Sequence, residues 1–209
     1  MGKGKSLRKI TIKRKTRETE IECILNIDGK GESQLDTGIG FLDHMLELFV
    51  FHGLFELKLN AKGDLKVDSH HTNEDIGIVL GQAFKGALAK KRGIKRFGFA
   101  MVPMENVLAS VILDIGGRGY FEGIRKDSLK LIEKKEAYTL EEANHFFESF
   151  AQHSGTNLII KLELPGRNPI VDIHTGLEPV FKAWAIALSQ AASIDPRRTG
   201  VPSTKGIID

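Results

Sequence analysis

Five of the chain's seven histidines fall into a pattern with carboxylates. His70 and His71 are adjacent, Glu74 follows His70 by four residues, and Glu178 follows His174 at the same interval. Four residues are close to one helical turn, so each His-Glu pair shares a face wherever its segment is helical. His44, in Asp43-His44-Met45, and His145 stand in helical stretches of their own. One histidine at a helix start usually caps or packs, but an adjacent pair combined with a recurring His-x-x-x-Glu turn favours metal binding. Imidazole with carboxylate suits Mn, Fe, Zn or Ni, whereas an all-oxygen cage would suit Mg or Ca. Cys23 is the only cysteine, which excludes an intrachain disulfide and a thiolate-rich zinc site. His52 and His153 have no such neighbours and read as structural.

Periodicity indicates the elements that must hold these groups. Ile21, Cys23, Leu25 and Ile27 alternate as a strand, and the turn Asp28-Gly29-Lys30-Gly31 predicts a hairpin with a second strand into Leu35. Phe41 to Phe51 has helical spacing and stops at Gly53. Leu57-Lys58-Leu59 and Leu65-Lys66-Val67 flank Gly63-Asp64, a second expected hairpin. Thr72 with Asp75 resembles a cap opening a helix that runs to about Arg92-Gly93, with both histidines just outside it or in its first turn. Val107 to Ile115 alternates as a strand, Thr139-Leu140-Glu141-Glu142 is a capping box, Leu158 to Leu164 is a strand, and a helix is expected from about Leu177 to Ala192.

His145 lies 101 residues after His44 and His174 lies 104 after His70, each about half of the 209-residue length. Order and spacing repeat together, as an internal duplication would make them. The expected fold is α+β, with two similar halves over residues 1–93 and 94–209, each a small mixed sheet with helices packed on one face.

Composition narrows the function. The chain is 41% hydrophobic and 27% charged, which suits a globular protein and excludes disordered, collagenous and disulfide-scaffold classes. No apolar run approaches a membrane span and the N-terminus lacks the apolar core of a secretory signal, so a cytoplasmic location without membrane contact is expected. The formal net charge of +3 arises in residues 1–17, which carry eight basic side chains and no acid, leaving 22 basic against 27 acidic residues elsewhere. A basic arm of this kind is more often a solvated tail or an edge strand than an RNA contact. Trp184 and both tyrosines lie far along the chain from it, which also argues against nucleic acid.

The segments Phe41-Leu42-Asp43-His44-Met45-Leu46, Asp68-Ser69-His70-His71-Thr72-Asn73-Glu74-Asp75, Pro103-Met104, Asp195-Pro196-Arg197-Arg198 and Pro202-Ser203-Thr204-Lys205-Gly206 resemble, in order, the imidazoleglycerol-phosphate dehydratase family of histidine biosynthesis. The resemblance runs from about Arg14 to Gly206. It implies Mn-dependent dehydration of imidazoleglycerol phosphate to imidazoleacetol phosphate. It further implies an octahedral assembly of 24 subunits with two Mn ions per site shared between them.

By that resemblance one metal takes His44, His71, His174 and Glu178, and the other takes His70, Glu74 and His145. The family's second metal also uses a histidine where this chain has Thr175. Glu105-Asn106, Ile159, Gly176 and Pro179 are further departures. Glu18 matches the family's acid/base position, and Arg96, Arg118, Lys182, Ser203 and Lys205 match its phosphate ligands. Two other functions fit parts of the pattern: a different His/Glu metal enzyme such as a hydrolase, and a catalytically weakened relative serving as a metal-loaded assembly or RNA-binding protein.

Overall fold

The computed structural model describes residues 8–125, 130–132, 138–164 and 170–208. The first half of the chain forms strands β1 (Lys9–Lys15), β2 (Thr19–Asn26) and β3 (Glu32–Asp36), helix α1 (Gly40–Gly53), strand β4 (Glu56–Gly63) and helix α2 (His70–Leu88). The second half follows with β5 (Phe97–Met104), β6 (Val107–Asp114), β7 (Tyr120–Glu122), β8 (Lys130–Ile132), α3 (Leu140–Ser154), β9 (Asn157–Glu163), β10 (Ile170–Asp172) and α4 (Ile173–Ala192).

The duplication expected from the histidine spacing is visible in the topology. One sheet runs β1-β2-β4-β3 and the other β5-β6-β9-β7, each with two antiparallel pairings and a parallel one at the end. Helices follow the third and fourth main strands in both halves, giving two similar α+β units. Strands β8 and β10 form an additional two-stranded parallel ribbon outside this plan.

Several local expectations are corrected. Asp28-Gly31 does not join paired strands, because β2 and β3 both pair with β4 and lie on either side of it. The hairpin partner of β2 is β1, whose alternating Ile10 and Ile12 pack inward while Lys9, Lys13 and Lys15 face out. Seven residues of the basic arm thus build an edge strand, and cations along it discourage pairing with another chain. Residues 65–67 continue a turn instead of forming a strand, with Val67 N–H donating to Asp64 O at 2.7 Å. Helix α2 begins at His70, so both histidines lie inside its first turn. The Thr72–Asp75 cap does not form: the Asp75 carboxylate binds Arg14 and Thr19 instead. At α3 the capping box forms as expected, Thr139 accepting from Glu142 N–H while Glu142 accepts from Thr139 N–H.

The helices pack crosswise between the halves, α1 against α4 and α2 against α3. Gly77 permits the second of these crossings, since a Cβ there would lie 2.7 Å from the Phe146 carbonyl oxygen. The shared core centres on Trp184 of α4, fully buried, stacked on Phe49 of α1 at 4.1 Å and met edge-on by Phe146, Phe147 and Phe150 of α3. Aromatic rings from both halves therefore fix the angle at which the helix ends converge. Among the described residues no helix is long and apolar enough to cross a membrane.

Trp184→Ala should destabilise the protein by about 3–5 kcal/mol, the usual cost of emptying so large a core site. Equilibrium urea unfolding at fixed protein concentration measures this, and a loss below about 1 kcal/mol would contradict a core organised on that ring.

Candidate metal centre

Crosswise packing creates two matched side-chain groups. At the α1–α4 crossing, His44 meets His174 and Glu178, with ring centroids 5.1 Å apart and His44 Nε2 4.0 Å from Glu178 Oε2. His174 Nε2 lies 2.9 Å from the same oxygen, one helical turn along. At the α2–α3 crossing, His70 stacks on His145 at 4.4 Å, and His145 Nε2 lies 3.9 Å from Glu74 Oε1. In each group the three ligand atoms fall within 4.8 Å of one another. Each half supplies one histidine-bearing helix to each group, so neither group exists without the duplication.

Local sequence explains why these side chains converge. Helix α4 starts at Ile173, earlier than periodicity indicated, because the Asp172 carboxylate caps it by accepting from Thr175 N–H at 3.0 Å. His174 and Glu178 consequently occupy successive turns of one helix face. In α2 the His70–Glu74 pair stands at the same place. Phe41 stacks on buried Tyr138 at 5.2 Å and meets His174 edge-on at 5.9 Å, bracing that histidine.

His71 is not brought to His44, His174 and Glu178 within one chain. Its Nδ1 points to Asp64 Oδ2 at 3.1 Å and to Glu18 Oε2 at 3.7 Å, a third cluster. The hydrogen bond to Asp64, and secondarily the charge of Glu18, raise the His71 pKa above its ordinary value despite the opposing effect of burial. Burial pushes the Glu178 carboxyl up, but hydrogen bonds from Lys182 and His174 outweigh it and hold the group below the usual carboxylate range. Glu178 is thus kept anionic, as ligation requires. Burial pushes the Cys23 thiol up to about 12, so it stays protonated inside the core.

The residues fit a divalent transition ion. Each crossing offers two imidazoles and a carboxylate, the borderline donor set for Mn, Fe, Zn or Ni. Donors on one ion with bonds of about 2.0–2.2 Å stand within roughly 4.4 Å of each other, so small side-chain adjustments close either group. His145 Nδ1 is also buried without a hydrogen-bond partner among the described residues. Such an orphan costs about 1–3 kcal/mol, and the nitrogen that faces Glu74 in the group is the other one, Nε2.

Glu18 sits in the β1–β2 turn and is held by its surroundings. Glu18 N–H and Thr19 N–H both donate to Thr16 Oγ1, at 3.1 and 2.9 Å. Thr19 Oγ1 donates to Asp75 Oδ2 at 2.5 Å and Arg14 Nε donates to Asp75 Oδ1 at 2.8 Å, which ties the turn to α2.

The five phosphate candidates divide. Arg96 donates twice to Asp114, at 2.6 and 2.8 Å, and once to Pro202 O at 3.0 Å, which places the segment bearing Ser203 beside it. Ile115 N–H donates to Arg96 O, so the Gly116–Gly119 turn that exposes Arg118 starts at the same end of the second sheet. Lys205 is exposed, its backbone N–H on Ser203 Oγ at 3.2 Å. Lys182 lies elsewhere, its ammonium 2.5 Å from Glu178 Oε1. Thr175 donates its hydroxyl to Asp172 Oδ2 at 2.7 Å. Two participants were not singled out from sequence: Asp64, which read only as a turn residue, and Asp75, which read as a cap.

The profile of the imidazoleglycerol-phosphate dehydratase family matches residues 37–188. Among curated relatives, the imidazoleglycerol-phosphate dehydratase of Methanocella arvoryzae is 48% identical over 202 residues, covering 97% of this chain and 100% of its own length. That of Pelobacter propionicus is 50% identical, covering 96% and 99%. A crystal structure of the Pyrococcus furiosus enzyme, in complex with (S)-C348, superimposes with a TM-score of 0.77 at 31% identity, covering 94% of this chain and 99% of that one. The Staphylococcus aureus enzyme gives 0.73 at 32% identity, covering 89% and 99%. With this agreement along nearly its whole length and the paired His/Glu groups at its helix crossings, the chain belongs to the imidazoleglycerol-phosphate dehydratase family.

Proposed function

We propose that the protein is a hydro-lyase of histidine biosynthesis that dehydrates imidazoleglycerol phosphate to imidazoleacetol phosphate, using two Mn ions. The observation that carries this reading is the twin arrangement of two imidazoles and a carboxylate at matched helix crossings, in a chain of this family. A hydrolase on the same ligands accounts for metal binding but not for kinship over 97% of the chain. Bound at these groups, the ions supply Lewis acidity and a template for the substrate's imidazole ring.

The chain's own residues supply the rest. His44, His174 and Glu178 form one incomplete ligand set, which His71 of another copy completes; His70, Glu74 and His145 form the second. Glu18 is the proton acceptor for the carbon-bound hydrogen, held in reach by the Thr16, Thr19 and Asp75 contacts. Arg118, Ser203 and Lys205 receive the phosphate, with Arg96 bracing their end of the sheet against Asp114 and Lys182 approaching from a neighbouring copy.

Such sharing requires assembly, which the family resemblance gives as 24 copies, each made of duplicated halves 1–93 and 94–209. An apolar face supports it: Phe97, Phe99, Met101, Ile112 and Tyr120 are 49–68% exposed on the outer side of the second sheet, with Phe99 directly opposite Ile112. Contiguous exposed apolar surface of this kind marks a protein contact. A soluble cytoplasmic enzyme of metabolism fits this reading.

The central test is dehydratase assay of metal-stripped protein with Mn added back. Activity should vanish on stripping and return with Mn, and full activity of verified metal-free protein would reject the proposal. Glu18→Gln should bind substrate but lose about 10²–10⁴-fold in kcat; an unchanged kcat removes it as the base.

Thr175 sets a further expectation. The group of His70, Glu74 and His145 lacks a fourth protein ligand, so titration with Mn should resolve two unequal affinities, the weaker at this group. Thr175→His should tighten the weaker class alone. Two equal, tight sites in the unmodified protein would contradict the importance given to this residue.

A further inference from the structure

Asp64 is a carboxylate beside the proposed metal ligand His71 to which the proposed reaction gives no part. It lies in the turn after β4, and its carboxylate faces a ring nitrogen of His71 at 3.1 Å. An ionised carboxylate only accepts, so the bond exists only with the proton on His71 Nδ1. Neutral imidazole then carries its lone pair on Nε2, the nitrogen that neither Asp64 nor Glu18 engages. We propose that Asp64 is a positioning residue that fixes the tautomer and ring orientation of His71 so that Nε2 is presented to an ion held by His44, His174 and Glu178 of another copy.

The turn is built for this placement. Val67 N–H donates to Asp64 O at 2.7 Å, closing the turn behind the carboxylate. Gly63 brings it onto the first turn of α2 so closely that a Cβ there would lie 1.9 Å from Thr72 Oγ1, one residue beyond His71. A larger residue at 63 would require the Thr72 side chain, the turn or the helix to shift. Asp64 Oδ1 is buried and has no hydrogen-bond partner among the described residues, so the carboxylate's recorded polar contact is the His71 ring. The buried, unpaired Oδ1 costs free energy at this turn, while Oδ2 is the oxygen that holds the ring. Metal-bound histidines commonly have such a carboxylate on the second ring nitrogen, and losing it typically weakens metal binding about 10–100-fold.

The second half of the chain offers a contrast. Position 175, one residue after His174 as His71 is one after His70, is also held by a carboxylate, but Asp172 there takes the hydroxyl of Thr175 and no ring is presented. By position Asp172 corresponds to Asp68, two residues before His70, so the Asp64 contact to a ring belongs to the first half, where residue 71 is a histidine.

The inference rests on His71 being a metal ligand, as proposed above, and the experiment separates the two. Mn binding to the metal-stripped full chain is followed by titration calorimetry and by the EPR signal of free Mn, for wild type, Asp64→Asn, Asp64→Ala, His71→Ala and His71→Ala with Asp64→Asn combined. One class of Mn sites should weaken about 10–100-fold in Asp64→Asn, and more in Asp64→Ala, which keeps no acceptor oxygen. His71→Ala should weaken the same class, and adding Asp64→Asn to it should cause no further loss, because the carboxylate then has no ring to hold. Wild-type affinity in both Asp64 variants, with His71→Ala impaired, overturns the positioning role alone. Multiplying losses in the double variant also overturn it, since they indicate a general structural effect. A third Mn per chain that Asp64→Asn removes would make Asp64 a ligand instead. No change in His71→Ala would remove the ligand reading and this inference with it.

Discussion

Consecutive side chains on an α-helix diverge by about 100°, so adjacent histidines in one helical turn cannot converge on one point without distortion. This constraint governs the first turn of α2. His70 turns toward α3, where Glu74 and His145 receive it, while His71 turns toward the loops and meets Asp64 and Glu18. One helical turn therefore serves two sites. In the proposed account the second of these is closed by another copy of the chain, which makes assembly a condition of the chemistry.

Duplication is the reason the chain can supply the remaining ligands. A small α+β half has two helices, and alone it would bring together no more than its own histidines. Crossing α1 over α4 and α2 over α3 lets each half complement the other, and Trp184 with its surrounding phenylalanines fixes both crossings at once. The four-stranded sheets repeat in topology, but the chemistry does not: the second half keeps the His174–Glu178 turn and places Thr175 at the position of His71. The two groups are thus alike in donors, and in the proposed function they are unlike in how they are completed.

Much of this was legible in the sequence because the relevant signals are local. The His-x-x-x-Glu spacing, the Thr139–Glu142 capping box and the recurring intervals all depend on residues within a turn or on order along the chain. Strand β5 was not legible, because Phe97, Phe99 and Met101 point outward while Gly98 and Ala100 face the core, the reverse of the usual amphipathic sign. The pairing of β2 with β1 instead of β3 depends on where β4 inserts, which is a long-range matter. Asp64 was opaque for a similar reason: a Gly-Asp pair signals a turn, and nothing nearby in sequence indicates that this turn docks beside His71.

The claim on which the account depends is that one chain's His71 completes the ligand set of another chain's His44, His174 and Glu178. Subunit mixing tests it most directly. His71→Ala and His174→Ala proteins, each inactive alone, are dissociated, mixed, reassembled with Mn and assayed. Mixed assemblies should regain a substantial fraction of wild-type dehydratase activity, since some sites then pair an intact His71 with an intact His44, His174 and Glu178. A mixture that reassembles fully and remains as inactive as either parent would contradict it.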